Sequence, residues 1–299
     1  MTLTELRYVV AVAEARHFGR AAERCFVSQP SLSASVKNLE EELGVQIFER
    51  GKRGVLLTEA GEQIIAQARR ALEEAERVKT VARQGRDPLK GVLRLGIIHT
   101  IAPYLLPDLV AALRRLAPEM PLDVEENTTA TLDRMLRAGE VDAVILALPY
   151  DAPGIETTPL YEETFQVVAP AKHPLTRRKT VGTGDLDAGE LLLLPVGHCF
   201  RDQVLDACHE FSRPPEPGRQ GNSLETLRSM VASGLGVTVL PSTALTARHA
   251  NPLVKAVHFA DPCPVRRVAL AWRRGFHRAA ALEKLVSAVR GLALPIKTL

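Results

Sequence analysis

Between Thr58 and Arg86 the chain reads as one uninterrupted helix, and this stretch limits how everything on either side of it can fold. Thr58-Glu59-Ala60 opens it with a capping signal. Gly61, Ile64, Ala68, Ala71, Ala75, Val78 and Ala82 then recur at alternating spacings of three and four. That is the seam of a helix about 42 Å long lying against a second helix, with side chains small enough for close approach. Gly85, Pro88 and Gly91 end it and mark a domain boundary. The 299 residues therefore divide into a short piece, a linker and a long piece, and a 46% hydrophobic content lets each globular piece bury a core.

The short piece has helical periodicity. Leu3, Leu6, Val9, Val10 and Ala13 make one amphipathic helix, and Phe18 to Cys25 a second, Ala-rich one. Phe26-Val27 then connects tightly to Ser28, an N-cap for a third helix. In that helix Leu32, Val36, Leu39 and Leu43 face inward, leaving Gln29, Pro30, Ser31, Ser33, Ala34 and Lys37 on a small polar surface. Gln and Ser on such a surface can read base edges in a major groove, and Lys can meet a phosphate, although a plain solvated helix face has the same composition. Glu49 to Leu57 reads as a basic hairpin in which Arg50 can touch the nucleic-acid backbone. Residues 1–86 carry 14 Lys and Arg against 12 Asp and Glu. So small a surplus does not mark a nucleic-acid binder, and that reading rests on the helices.

From Val92 the pattern alternates: strand Val92–Ile98, helix Tyr104–Leu116, strand Leu122–Glu126, helix Thr129–Ala138, strand Ala143–Ala147. A second series follows, with strands at Phe165–Ala169, Leu191–Leu194, Gly236–Leu240 and Arg267–Trp272 and helices at Ser223–Ser233 and Ala279–Val289. Two α/β sub-domains with a cleft are expected, ligands binding at the carboxyl ends of strands, where Thr100, Thr129, His198 and Cys199 fall. No apolar run is long enough to span a membrane and no leader precedes Glu5, so a cytoplasmic protein is expected.

Two of the four cysteines, Cys199 and Cys208, stand nine positions apart, the first flanked by His198 and Arg201 and placed in the first turn of a helix read over Phe200–Glu210. A cysteine reacts as its thiolate, which neighbouring cations and a helix start favour. Nine helical residues rise about 13 Å, whereas disulfide-bonded cysteines need Cα atoms roughly 4.4–6.8 Å apart. If the two pair, the segment between them must unwind. Buried thiols acting as small hydrophobes are the alternative, and zinc ligation by His198, Cys199, Cys208 and His209 is a weaker one. Cys25 reads as core and Cys263, beside Pro262 and Pro264, as an idle loop thiol.

The run Ala21-Ala22, Val27-Ser28-Gln29-Pro30-Ser31-Leu32-Ser33, Leu39-Glu40, Leu43-Gly44 and Phe48-Glu49-Arg50 resembles the LysR-type transcriptional regulators. That resemblance implies an α+β multidomain protein: an N-terminal winged helix-turn-helix (1–57), a linker and dimerisation helix (58–86), and a periplasmic-binding-protein-like regulatory domain (91–299). Its sub-domains would span 91–161 plus 268–299, and 162–267. The implied partners are double-stranded DNA and RNA polymerase, the implied assembly a homotetramer built as a dimer of dimers. Gly197 to Gln203 with Cys208 is similar to the family's hydrogen-peroxide sensors. On that likeness Cys199 is the thiol that peroxide oxidises to a sulfenic acid and Cys208 its disulfide partner; Thr100, Thr129, His198, Asp202 and Arg266 match a peroxide-binding pocket. No metal or cofactor is implied. The other reading is a regulator answering to a small carboxylate, its cysteines incidental. A helix-turn-helix argues against an enzyme such as a thiol peroxidase, because catalysis needs no DNA-reading surface.

Overall fold

Thr2 and Ser28 each accept a hydrogen bond at the start of the helix that follows, as small polar residues before apolar periodicity should, and His17 does the same through its ring Nδ1. They set the first three helices of a computed structural model that describes residues 1–51, 54–84, 87–208 and 219–299. Two compact units result, Met1–Asp87 and Pro88–Leu299.

The first unit contains α1 (Leu3–Ala15), α2 (Phe18–Arg24), α3 (Gln29–Leu43), a hairpin of β1 (Phe48–Gly51) and β2 (Gly54–Leu57), and α4 (Glu59–Gln84). Leu6, Val9, Val12, Leu32, Val36, Leu39, Ile47 and Ile65 form its core, while Leu3 and Leu43, expected inside, are exposed at the helix ends. Glu40 ties α3 to the hairpin, its Oε1 accepting from Ile47 N at 2.7 Å and Phe48 N at 3.0 Å. The linker seam is split. Gly61 and Ala68 are buried within this unit, whereas Val78 is 69% exposed; the Ala82 side chain lies outside the described residues. At Gly61 a Cβ would sit 2.2 Å from Ile47 O, so the glycine admits the hairpin rather than a second helix.

In the second unit the elements are β3 (Leu93–Ile98), α5 (Ala102–Leu116), β4 (Leu122–Asn127), α6 (Thr129–Ala138), β5 (Ala143–Ala147), β6 (Ile155–Pro170), β7 (Thr180–Val181), α7 (Cys199–Ala207), α8 (Leu224–Ala232), β8 (Thr238–Pro241), β9 (Val254–Phe259), β10 (Val265–Arg273), α9 (Ala279–Arg290) and β11 (Lys297–Thr298). Strand order is β4-β3-β5-β10-β6-β9-β7, with β8 and β11 also on β6. β3 pairs in parallel with β4 and β5, and the side chains of β5 are all buried between layers.

Two hydrophobic clusters share this sheet. The 16-residue β6 runs through both: Leu160 and Tyr161 join the first, Phe165 to Ala169 the second. Leu191 to Leu194, expected as a strand, is extended and buried but meets its neighbours only at isolated bridges, Leu191 with Val237 and Leu193 with Gln220. Each flanking segment forms one bridge with it, too few for a ladder. α7 runs to Ala207 with Cys208 as its C-cap; the expected helix end at Glu210 and the Pro-rich stretch Arg213–Gly218 lie outside the described residues.

Where the clusters meet, Arg266 and Glu163 are cross-strand partners with fully buried side chains, Nε to Oε1 2.8 Å. Removing one partner of such a pair strands a buried charge, at a cost of about 3–5 kcal/mol, whereas a surface pair contributes about 0–1 kcal/mol. Glu163→Ala should therefore lower unfolding stability several-fold more than Glu162→Ala, which breaks only the exposed contact to Arg267. Denaturant titration of both variants checks this; equal losses would remove the pair from its structural role.

Candidate functional site

Parallel pairing of β3 and β4 brings their carboxyl ends together, and the chain leaves each into a helix start. Thr128 caps α6, its Oγ1 accepting from Thr131 N at 3.4 Å, which places Thr129 at the first helical position. Cys199 is likewise the first residue of α7, preceded by Gly197 at φ +101, a left-handed turn that aims the helix start. Thr129 Oγ1 lies 3.5 Å from Cys199 Sγ, so the sulfur sits where two helix N-termini converge. Both dipoles present their positive ends to it.

The expected cations do otherwise. Burial, and then the proximity of His99, push the His198 pKa below the ordinary imidazole value. Arg201 turns back, Nη1 donating to Leu194 O at 2.9 Å, and so fastens α7 to the extended run beneath it. Asp202 is exposed in the first turn of α7, where a carboxylate suits the dipole.

Arg266 and Thr100 come together as the strand-end reading anticipates. The guanidinium donates from Nη1 to Thr100 Oγ1 at 2.9 Å and from Nη2 to Thr100 O at 3.0 Å, while Glu163 holds Nε. Its carbon lies 5.0 Å over the Phe200 ring, within cation–π range, so the residue after Cys199 rests on the buried ion pair. Glu163 Oε2 in turn accepts from Thr243 Oγ1 at 2.6 Å. Glu163 and Thr243 gave no sequence signal, since both fall outside the strands read from the sequence.

Cys208 occupies a different environment. It is fully buried in the second cluster as the C-cap of α7, and burial pushes its thiol up to about 11. Cys199 packs against the first cluster. Cys25 is only partly buried, and burial raises its thiol against the opposing effect of Arg7. Cys263 packs against the second cluster with Sγ 3.7 Å from Phe165 O, and burial followed by Asp261 raises it.

Sequence reasoning missed His99 and Glu126. His99 Nδ1 and Glu126 Oε1 are 3.1 Å apart, and the His99 and His198 rings lie 5.6 Å apart by centroid. A second contact missed joins α5 to α8, Tyr104 Oη donating to Glu225 Oε1 at 3.0 Å, with Glu225 also paired to Arg228.

On the first unit Gln29, Pro30, Ser31 and Lys37 are exposed on α3 and Ser33 is half-buried. Lys37 forms an i,i+4 pair with Glu41, Nζ to Oε1 3.4 Å. Phe26, two residues before the cap, is 96% exposed at φ +56. The Arg50 side chain lies outside the described residues.

Residues 3–62 match the bacterial regulatory helix-turn-helix protein of the lysR family, and residues 86–293 match the LysR substrate binding domain. The hydrogen peroxide-inducible genes activator of Dickeya chrysanthemi is 38% identical over 97% of this chain and 95% of its own. A probable hydrogen peroxide-inducible genes activator of Streptomyces viridosporus is 43% identical over 97% of this chain and 93% of its own. Among solved structures, full-length OxyR C199D from Pseudomonas aeruginosa superposes with a TM-score of 0.79 at 49% identity, covering 98% of this chain and 99% of that one. A cysteine mutant of Corynebacterium glutamicum OxyR with hydrogen peroxide bound gives a TM-score of 0.66 at 36% identity, covering 97% and 91%. This chain belongs to the LysR family of bacterial regulators, and within it to the hydrogen peroxide-inducible genes activators.

Proposed function

We propose that the protein is a DNA-binding transcriptional regulator switched by hydrogen peroxide, and that it is a sensor rather than an enzyme. The observation that carries this reading is the placement of the two thiols at opposite ends of α7, Cys199 at convergent helix starts and Cys208 sealed in the second core. A neighbouring residue that can hold a peroxide oxygen and a helix start that favours thiolate suit the first thiol to attack; burial protects the second until the helix opens. Peroxide oxidises Cys199 to the sulfenic acid with release of water. Condensation with Cys208 then forms the disulfide and releases a second water, which requires α7 to unwind.

In this reading Thr129 meets the peroxide beside Cys199, and His198, Thr100, Asp202 and Arg266 complete the polar surroundings, Arg266 by orienting Thr100. Residues 1–57 read DNA through Gln29, Pro30, Ser31 and Ser33, with Lys37 and Arg50 on phosphates. Residues 58–86 join copies, and the exposure of Ala71 and Val78 fits that role. The regulatory domain covers 91–299, with sub-domains at 91–161 plus 268–299 and at 162–267. The working assembly is a dimer of dimers acting on RNA polymerase in the cytoplasm. Among the described residues no helix is long and apolar enough to cross a membrane.

Two predictions test the switch and the DNA surface. Peroxide should yield a Cys199–Cys208 bridge by peptide mass mapping and move the protein's footprint on DNA. Cys199→Ser should abolish both, while Cys208→Ser should accumulate sulfenic and then sulfinic acid at Cys199. A footprint that still moves in Cys199→Ser overturns the reading, and one that moves only with a small carboxylate replaces it. On DNA, Gln29→Ala should lose about 1–3 kcal/mol of discrimination between operator and random sequence. Lys37→Ala should instead weaken both and lower the salt slope by about one. Titrations at two salt concentrations separate these outcomes.

A further inference from the structure

The chain enters the second unit at Pro88 and reaches β3 at Leu93, and the segment between them is gathered around one side chain. Arg278, the N-cap of α9, caps nothing with its side chain and is 4% exposed. Its guanidinium donates from Nε to Pro88 O at 3.0 Å, from Nη2 to Lys90 O at 3.1 Å and Gly91 O at 3.0 Å, and from Nη1 to Val92 O at 2.8 Å. Gly91, at φ +86, makes the turn that lets these carbonyls converge. Glu119 holds the same turn from the other side, its carbonyl accepting from Gly91 N at 2.9 Å and its carboxylate pairing with Lys90 at 3.0 Å.

A buried guanidinium is ordinarily held by a carboxylate, yet among the described residues none pairs with Arg278, and backbone oxygens alone replace the water it has lost. Apolar packing would cover the segment equally well. What a planar fork bonded along residues 88–92 adds is stiffness, because it removes the rotations by which that stretch would swivel.

Resting on the regulator reading above, we propose that Arg278 is a coupling clamp: it fixes the chain's entry to α9, so that rearrangement at α7 reaches the linker helix instead of being lost in a loose joint. The route to it is continuous. β10 carries Arg266 near its start, under the Phe200 ring of α7, and runs between β5 and β6 to Arg273, five residues before Arg278. Arg273 Nη1 ties the strand end to Val141 O at 3.0 Å, and Phe276 folds back beneath it, N to Arg273 O 3.0 Å, into the first cluster. Ala281, Leu285 and Val289 then seat α9 in that cluster. A packed path of this kind carries a bias between sites only if its last joint is stiff. Arg278 is that joint.

The test compares full-length wild type, Arg278→Met and Arg278→Lys. Formation of the Cys199–Cys208 bridge by peroxide, amide exchange over residues 89–93 and the DNA footprint of reduced and oxidised protein are followed on the same samples. In Arg278→Met the bridge should form within about twofold of the wild-type rate, while exchange over 89–93 rises about tenfold or more. Oxidation should then leave the footprint unmoved, the oxidised-to-reduced ratio of operator affinities drifting toward one by about two- to thirtyfold. Arg278→Lys keeps the charge but not the fork, so it should lose part of the same coupling; if the Met variant does not fold, the Lys variant carries the test. A folded variant with faster exchange that keeps the wild-type footprint shift overturns the proposal. So does unchanged exchange, which would mean the segment is held without Arg278, and so does a bridge that forms as poorly as the footprint moves, which would place Arg278 in folding or thiol chemistry. If the wild-type footprint itself ignores the bridge, the underlying regulator reading fails instead.

Discussion

A single buried ion pair holds the regulatory unit in register. Arg266 and Glu163 face each other across β10 and β6 with no exposed side-chain surface, so neither charge can recover its hydration unless the other stays. Because β6 passes through both hydrophobic clusters, locking it to β10 at this point fixes the angle at which the clusters meet. The remaining hydrogen bonds of the pair extend that constraint to Thr100 on one side and Thr243 on the other. Phe200 lies on the guanidinium, so the start of α7 is positioned by the same charge. The polarity of the site is therefore built into its architecture.

What the sequence made legible was local. Capping residues and apolar spacing placed α1 to α4 within a residue or two, because the signals that start a helix lie within one turn of it. Alternation placed β3, β4 and β5 and the helices between them for the same reason. Cys199 fell in the first turn of α7 as expected, yet its electrostatic neighbours did not follow: burial pushes the His198 pKa down, and Arg201 bonds a carbonyl seven residues back. Glu163, Thr243, His99 and Glu126 act across separations that leave no periodic trace. Gly61 fitted a heptad by spacing alone, although its real neighbour is the Ile47 carbonyl; a small residue at a seam and a small residue under a turn look identical in one dimension.

The four thiols show how far burial alone can differentiate identical groups. Cys25 and Cys263 are partly covered. Cys208 is deeply covered and correspondingly hard to ionise. Only Cys199 combines access with two oriented helix ends. A regulator of this kind needs one thiol that answers quickly and another that answers only after the first has changed, and a nine-residue helix bridging two cores supplies that order.

The seat of Cys208 also bears on how long a signal lasts. Drawing that side chain out of the second core exposes its apolar bed, which Val204 and Phe200 share. Any state that keeps the thiol outside carries the cost of that vacated space, at roughly 25 cal/mol for each Å² of apolar surface left wet. The reduced arrangement is thus the relaxed one. A thiol reductant that cuts the bond need not rebuild the helix, because the empty seat draws the chain back, so the signal lasts as long as the bond goes uncut and collapses quickly after it.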